Sequence, residues 1–329
     1  MLDKSQVICW VVTDGKVGME NQALGLAESL GFTPVVKRIR LNTPWQQLIP
    51  YLRVGLKHAF SPSGDSIVPP WPHLLIATGR ASIAASLYVR QASRFGDGTG
   101  TLVVQLQDPV INPKLFDLVV VPEHDHLQGS NIISTRGGLH RVTMDKLHAE
   151  AEKFLPQIKH LPSPRIAVLV GGNNAVYQLT TQRMQEIVGQ LRAVQAQTGG
   201  SLLVTPSRRT GDENLVILQQ GLADLPTYIW DGQGYNPYYA MLGLADYLLV
   251  TCDSVNMVSE ACTTGKPVYV IDLPGGSAKF NHFHDAMRKD GMTRSFVGRV
   301  DNWSYTPLDD MGRVVARVQQ LIKDKKGLV

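Results

Sequence analysis

The stretch Ala245–Ile271, ADYLLVTCDSVNMVSEACTTGKPVYVI, decides how the chain is read. Tyr247–Val250 is a continuous apolar run of strand length, and Val268–Ile271 is a second. Between them Asp253 or Ser254 is placed to cap a helix over Ser254–Thr263, and Gly265-Lys266-Pro267 turns the chain back. Strands with no polar alternation are buried on both faces, as in a parallel sheet crossed over by the helix. The first turn of that helix, with Ser254, Asn256 and Met257, presents N–H groups and the positive end of the dipole, which attract phosphate. Glu260, less than two turns further on, is placed to accept hydrogen bonds from ribose hydroxyls.

The alternation extends outward. Upstream, Ile166–Val170, Leu202–Thr205 and Thr227–Trp230 read as strands, and Thr181–Gln197, Asn214–Leu222 and Tyr238–Leu244 as helices, behind a proline-punctuated linker at Lys159–Pro164. In the first half Val7–Val12, Val35–Leu41, Leu74–Ala77, Leu102–Leu106 and Leu118–Val121 read as strands. Helices there cover Asn21–Leu30, closed by Gly31, and Ala81–Arg90; a last one spans Leu308–Lys323. The pattern predicts two doubly wound, Rossmann-like α/β domains facing each other across a cleft, with ligands beyond the carboxyl ends of the strands.

Two more strand ends carry suitable chemistry. Gly171-Gly172-Asn173 permits a tight turn that points backbone N–H groups at an anion. Ser207-Arg208-Arg209-Thr210 sets two guanidiniums and two hydroxyls at a strand terminus, and Arg forks match diphosphate oxygens bidentately.

Composition narrows the classes. With 329 residues, 43% hydrophobic and 18% charged, the chain reads as a globular protein of about two domains, neither disordered nor collagenous nor coiled coil. No apolar run reaches the roughly 20 residues of a membrane span. MLDKSQVICWVV lacks the apolar core of a secretory signal, and Cys9, Cys252 and Cys262 read as buried free thiols, so a cytoplasmic location is expected. Between Ser29 and Gly96 a single carboxylate, Asp65, faces eight Lys and Arg, whereas the whole chain carries only +4. That first half suits an anionic partner. Within it Pro44–Phe60 spaces Trp45, Leu48, Ile49, Leu52 and Leu56 helically beside Arg53 and Lys57, a segment suited either to an anionic membrane surface or to packing its apolar stripe on the sheet as a helix interrupted by Pro50. The turn after the first strand lacks G-x-G-x-x-G, which disfavours an oxidoreductase, and no recognition motif accompanies the basic segment, which disfavours nucleic acid.

The pattern D-S-x-x-M-x-x-E-A-x-x-x-G-K-P-V from Asp253 to Val268 resembles the donor-binding signature of GT-B-fold, nucleotide-sugar-dependent glycosyltransferases. More closely, the chain resembles a family holding the plant mitochondrial-fission factor and bacterial lipooligosaccharide outer-core glycosyltransferases. The match runs through Asp14, Gly15, Lys16, Gly18, Asn21 and Gln22, then Thr78-Gly79-Arg80, Gln107-Asp108-Pro109 and Pro122-Glu123-His124-Asp125. It continues through Gly171-Gly172 and Asn236-Pro237-Tyr238 to the Asp253–Glu260 block.

The resemblance implies a GT-B-like pair of domains. Residues 1–158 form the acceptor domain, with helix 308–325 packing back on it, and residues 159–307 the donor domain. It implies a nucleoside-diphosphate sugar as co-substrate with no resident cofactor or metal, and a lipooligosaccharide acceptor; the basic first half suits a lipid-linked acceptor at the inner membrane. Gly171, Gly172, Asn173, Ser207, Arg208, Arg209, Asp253, Ser254, Asn256, Met257 and Glu260 are the donor-side candidates. Gly15, Lys16, Gly18, Asn21, Gln22, Gly79, Arg80, Gln107 and Asp108 are the acceptor-side ones. Inverting transfer needs a base from the first domain, for which Asp14, His124 and Asp125 are candidates. Because plant members recruit dynamin, a non-catalytic scaffold is one alternative; a nucleotide-sugar epimerase on the same fold is another.

Overall fold

In a computed structural model the described residues are 7–96 and 100–325, with the backbone alone at His124. The residues before Val7, part of the expectation about the N-terminus, lie outside them. The chain divides into two compact units: one runs up to Arg141 and resumes at Asp309, the other is Val142–Leu308.

The first unit contains β1 (Cys9–Thr13), α1 (Val17–Ser29), β2 (Val35–Arg38), the short α2 (Trp45–Leu48), β3 (Leu74–Thr78) and α3 (Ser82–Phe95). β4 (Leu102–Leu106), β5 (Leu118–Pro122) and β6 (Ile132–Thr135) complete its sheet, ordered β2-β1-β3-β4-β5-β6 with every pair parallel. Alternate strand residues serve opposite faces, as a period of two requires. Cys9 and Val11 pack with Ala23, Leu26 and Ala27 of α1, whereas Trp10 and Val12 pack with Ile83, Ala84 and Val89 of α3.

The second unit runs α4 (Met144–Ile158), β7 (Arg165–Val170), α5 (Thr181–Thr198), β8 (Ser201–Pro206), α6 (Asp212–Gly221), β9 (Thr227–Ile229) and α7 (Tyr238–Leu244). It ends with β10 (Tyr247–Thr251), α8 (Val255–Thr263), β11 (Val268–Ile271), α9 (Ala278–Lys289) and β12 (Thr293–Ser295). Its sheet is also six-stranded and parallel, ordered β12-β11-β10-β7-β8-β9. The chain closes with α10 (Asp310–Asp324), whose Val314, Val318 and Ile322, spaced by four, lie in the first unit's core. Asp310 tethers α10 there, its Oδ2 accepting the Gly137 N–H at 2.8 Å.

The doubly wound α/β class read from the sequence holds. The units divide at 141/142, ahead of residue 158, because α4 packs on α7 and so belongs to the second unit. The Pro44–Phe60 segment is not one amphipathic helix. α2 stops at Leu48, Ile49 is extended before Pro50, and a separate 3-10 turn covers Leu56–His58. Ile49 and Leu56 are buried in the core while Leu48, Tyr51 and Val54 stay exposed. β6, α9 and β12 have no counterpart in the sequence reading: β6 and β12 are short edge strands, and α9 hangs its apolar face on Phe280, Phe283 and Met287 among polar residues.

Candidate functional site

Open α/β sheets bind ligands where the strand order reverses, since the loops leaving the two central strands part there. In the second unit the chain winds from β7 through β8 to β9, then returns to the other side of β7 for β10. The reversal lies between β7 and β10, whose carboxyl ends lead into Gly171-Gly172-Asn173 and Cys252-Asp253-Ser254. Of the sequence-predicted donor residues, Gly171, Gly172, Ser207, Arg209, Asp253 and Ser254 therefore come together here.

Their contacts explain the residue types. Asp253 is buried; its Oδ2 accepts the Gly172 N–H at 3.1 Å and pairs with Arg209 Nη1 at 2.7 Å, while Oδ1 has no hydrogen-bond partner. A Cβ on Gly171 would stand 2.2 Å from that carboxylate, and one on Gly172 2.0 Å from the Arg209 carbonyl. Only glycines permit so close an approach. Ser207 Oγ donates to the Gly171 carbonyl at 2.9 Å and accepts the Arg209 N–H at 3.1 Å, so the Ser207–Thr210 turn is laced to the glycine turn. Arg208 lies exposed beside it. Asn173 holds its own loop, accepting the Leu179 N–H on Oδ1 at 2.7 Å. Ser254 caps α8 by accepting the Met257 N–H at 3.3 Å, and Asn256 sits in the same first turn.

Glu260 stands half-buried on α8 and accepts a hydrogen bond from the Tyr238 hydroxyl at the start of α7. Burial raises its pKa to about 7, opposed by the Tyr238 hydrogen bond and by the charge of Lys146 on α4. Lys266 of the G-K-P turn has a different task. Its Nζ donates to the carbonyls of Leu242 at 2.9 Å and Gly243 at 2.6 Å, closing the end of α7, and burial lowers its pKa to about 8.

The sequence reading missed the next loop, Asp272–Ser277, and α9 behind it. Gly275 (φ +112°) and Gly276 (φ +126°) adopt conformations that favour glycine, and Ser277 caps α9. A cavity of about 400 Å³ opens between this loop and the end of β10, lined by Tyr177, Cys252, Asp272, Asn281, His284 and Arg288. His284 is buried and its Nε2 bonds the Cys252 carbonyl at 2.8 Å, leaving Nδ1 without a partner. Burial lowers its pKa, which favours the neutral ring. The signal available was Pro274-Gly275-Gly276-Ser277 after an apolar strand, followed by two histidines and an asparagine.

In the first unit the chain passes from β1 to β2 and back across β1 to β3, so the reversal lies between β1 and β3. There Asp14-Gly15-Lys16 follows β1 and Gly79-Arg80 follows β3. Asp14 Oδ2 pairs with Lys16 Nζ at 2.9 Å. Gly15 and Gly79 have φ of +87° and +88°. Gly18, Asn21 and Gln22 lie on α1. Gln107 and Asp108 leave β4, the strand next to β3; Gln107 (φ +72°) and the β-branched Val110 (φ +61°) both take the left-handed conformation, strain that concentrates at functional loops. His124 and Asp125 form a turn after β5, three strands from β1 or roughly 14 Å along the sheet. The three base candidates therefore do not share one site.

The family model described as mitochondrial fission ELM1 matches residues 17–322. The mitochondrial fission protein ELM1 of Arabidopsis thaliana is 30% identical over 276 residues, 76% of this chain; the match spans only 64% of that plant protein. Among solved structures, the UDP-GlcNAc 2-epimerase of Methanocaldococcus jannaschii aligns with TM-score 0.57 at 13% identity, covering 96% of this chain and 99% of its own. Os79 from O. sativa, solved in complex with UDP, aligns with TM-score 0.53 at 10% identity, covering 94% and 91%. At such identities the likeness is one of fold.

Proposed function

The chain belongs to the mitochondrial fission ELM1 family, and from that premise we propose that it is a glycosyltransferase whose second unit binds a nucleoside-diphosphate sugar. The observation that carries this reading is the convergence of Gly171, Gly172, Arg209, Asp253 and the capped start of α8 on the β7/β10 reversal. The amides opening α8 and the guanidiniums of Arg208 and Arg209 hold the diphosphate. Glu260 takes the ribose hydroxyls, and the cavity beside His284 receives the sugar. The fold shared with UDP-bound Os79 and with a UDP-GlcNAc epimerase supports a nucleotide-sugar ligand.

In the transfer step an acceptor hydroxyl oxygen forms a bond to the anomeric carbon. The bond from that carbon to the phosphate oxygen breaks, its electron pair leaves with the nucleoside diphosphate, and Asp14 takes the hydroxyl proton. Asp14 is preferred to His124 and Asp125 because it alone of the three stands at the first unit's reversal. A lipid-linked acceptor at an anionic membrane is supported by Tyr51, Val54 and Phe95, exposed by 68%, 77% and 84%, with Arg53 and Arg94 beside Phe95. Replacing Tyr51 and Phe95 by Ser is expected to reduce flotation with phosphatidylglycerol vesicles; unchanged flotation removes the membrane contact.

The deciding experiment screens nucleotide sugars with envelope extract as acceptor and follows release of the nucleoside diphosphate. Wild type is expected to release it, and D14N to lose about a hundredfold in turnover with nucleotide affinity unchanged. Full turnover in D14N takes the base role from Asp14. Nucleotide binding with no release from any donor supports the recruitment reading, and conversion of a donor to its epimer supports the epimerase.

A further inference from the structure

At the β1/β3 reversal of the first unit lies a second cavity, of about 520 Å³, lined by Asp14, Arg40, Gln46, Ser61, Ser63 and Arg80. Several arginines of the unit are held by carboxylates, Arg38 by Glu20, Arg90 by Asp117 and Arg141 by Glu28; those of the cavity are not. Among the described residues the Arg40 side chain has no hydrogen-bond or ion-pair partner, and Arg80 has only a bond from Nε to the Ile49 carbonyl. The one carboxylate in the cavity, Asp14, is paired with Lys16 at 2.9 Å. Two guanidinium forks with open N–H groups therefore face one space, with the paired Ser61 and Ser63 hydroxyls (3.0 Å apart) on the same wall.

We propose that this cavity binds a phosphate monoester carried by the acceptor, gripped by Arg40 and Arg80. Two guanidiniums with no carboxylate partner match three anionic oxygens in a way that no neutral sugar can. The nearby serine hydroxyls supply neutral donors to the same oxygens. The ends of the bound molecule are thus distinguished: phosphate at the arginines, reacting hydroxyl at Asp14. The Asp14–Lys16 pairing keeps the carboxylate from repelling the phosphate while leaving Asp14 Oδ1, which accepts only a 3.3 Å bond from the Lys16 N–H, for the hydroxyl. The local surplus of positive charge in residues 29–96 acquires a specific purpose in this way. The proposal rests on the transferase reading only in calling the phosphate carrier an acceptor.

The test titrates the full chain with glucose 6-phosphate, with glucose, and with dioctanoyl phosphatidic acid below its micellar concentration, read by calorimetry. Wild type is expected to bind at least one of the two phosphates and not glucose. R40Q is expected to weaken that binding about tenfold, as loss of one charge-assisted pair does, and R299Q, an exposed arginine of the second unit, to leave it unchanged. R40Q removes a side chain with no internal partner and so spares the fold; R80K, which keeps the charge but not the fork, is the second variant and is expected to fall between the two. Stronger binding of the sugar phosphate identifies a soluble or glycan phosphate, and stronger binding of the phosphatidic acid a lipid one. Wild-type affinity in R40Q, or no binding of either phosphate, overturns the proposal. UDP titrated into the same samples keeps the two readings apart: R40Q is expected to bind UDP as wild type does, and a failure of UDP to bind wild type would remove the donor site while the phosphate result stood.

Discussion

A methyl group on Gly171 has nowhere to go. It would meet both carboxylate oxygens of Asp253, at 2.2 and 2.3 Å, in a site where Arg209 already fixes that carboxylate. G171A is therefore expected to displace a buried ion pair and to cost roughly 2–3 kcal/mol, measured by urea unfolding, with UDP affinity down at least tenfold. An unchanged midpoint would show that the carboxylate moves freely. Glu260 makes a second prediction, in pH. With its pKa raised to about 7 by burial, it is largely protonated at pH 6 and ionises as pH rises. If it holds the ribose as proposed, the ionised carboxylate accepts two hydroxyls, so the affinity of wild type for UDP relative to E260Q is expected to rise from pH 6 to pH 8. A ratio independent of pH would detach Glu260 from the ribose.

At the scale of elements, the α8 cap is the clearest lever. S254A removes the acceptor for the Met257 N–H and is expected to cost about 1 kcal/mol and to weaken UDP binding. Loss of stability with unchanged affinity would make Ser254 a cap and nothing more. This element also shows what the sequence made legible. Apolar runs ending in Asp-Ser or Gly-Gly located β7, β10 and α8, because a buried parallel strand has no polar residue until it leaves the sheet. The role of Lys266 was not legible: the G-K-P turn marked the place, but only the tertiary structure reveals that its ammonium closes α7. The same holds for α9, whose apolar residues are too few among Lys279, Asn281, His282 and His284 to announce a helix until Phe283 and Met287 find the core. Pro44–Phe60 misled in the opposite sense, since its spacing is helical but Pro50 and burial of Ile49 and Leu56 prevail. Tyr238, the partner of Glu260, stood in a recognised motif without any sign of what it touches.

For the whole molecule, a buried histidine is expected to contribute to the acid limb of stability. Burial of His140 in the first unit lowers its pKa to about 4, so the unfolded chain binds a proton that the folded one refuses below about pH 6.5. Its contribution is complete above that pH and is lost as pH falls toward 4, about 3 kcal/mol in all. H140N is expected to flatten the acid limb of the thermal midpoint against pH; an identical limb would assign acid sensitivity elsewhere. The two units also differ in purpose under this account, nucleotide sugar on the second and phosphorylated acceptor on the first, each at the reversal of its own strand order. Amide hydrogen exchange on the full chain, with and without UDP, tests that division most directly. The account predicts slowed exchange at residues 171–174, 207–210 and 253–260 with the first unit unchanged; no slowing in those segments, or slowing centred on the β1/β3 reversal, would contradict it.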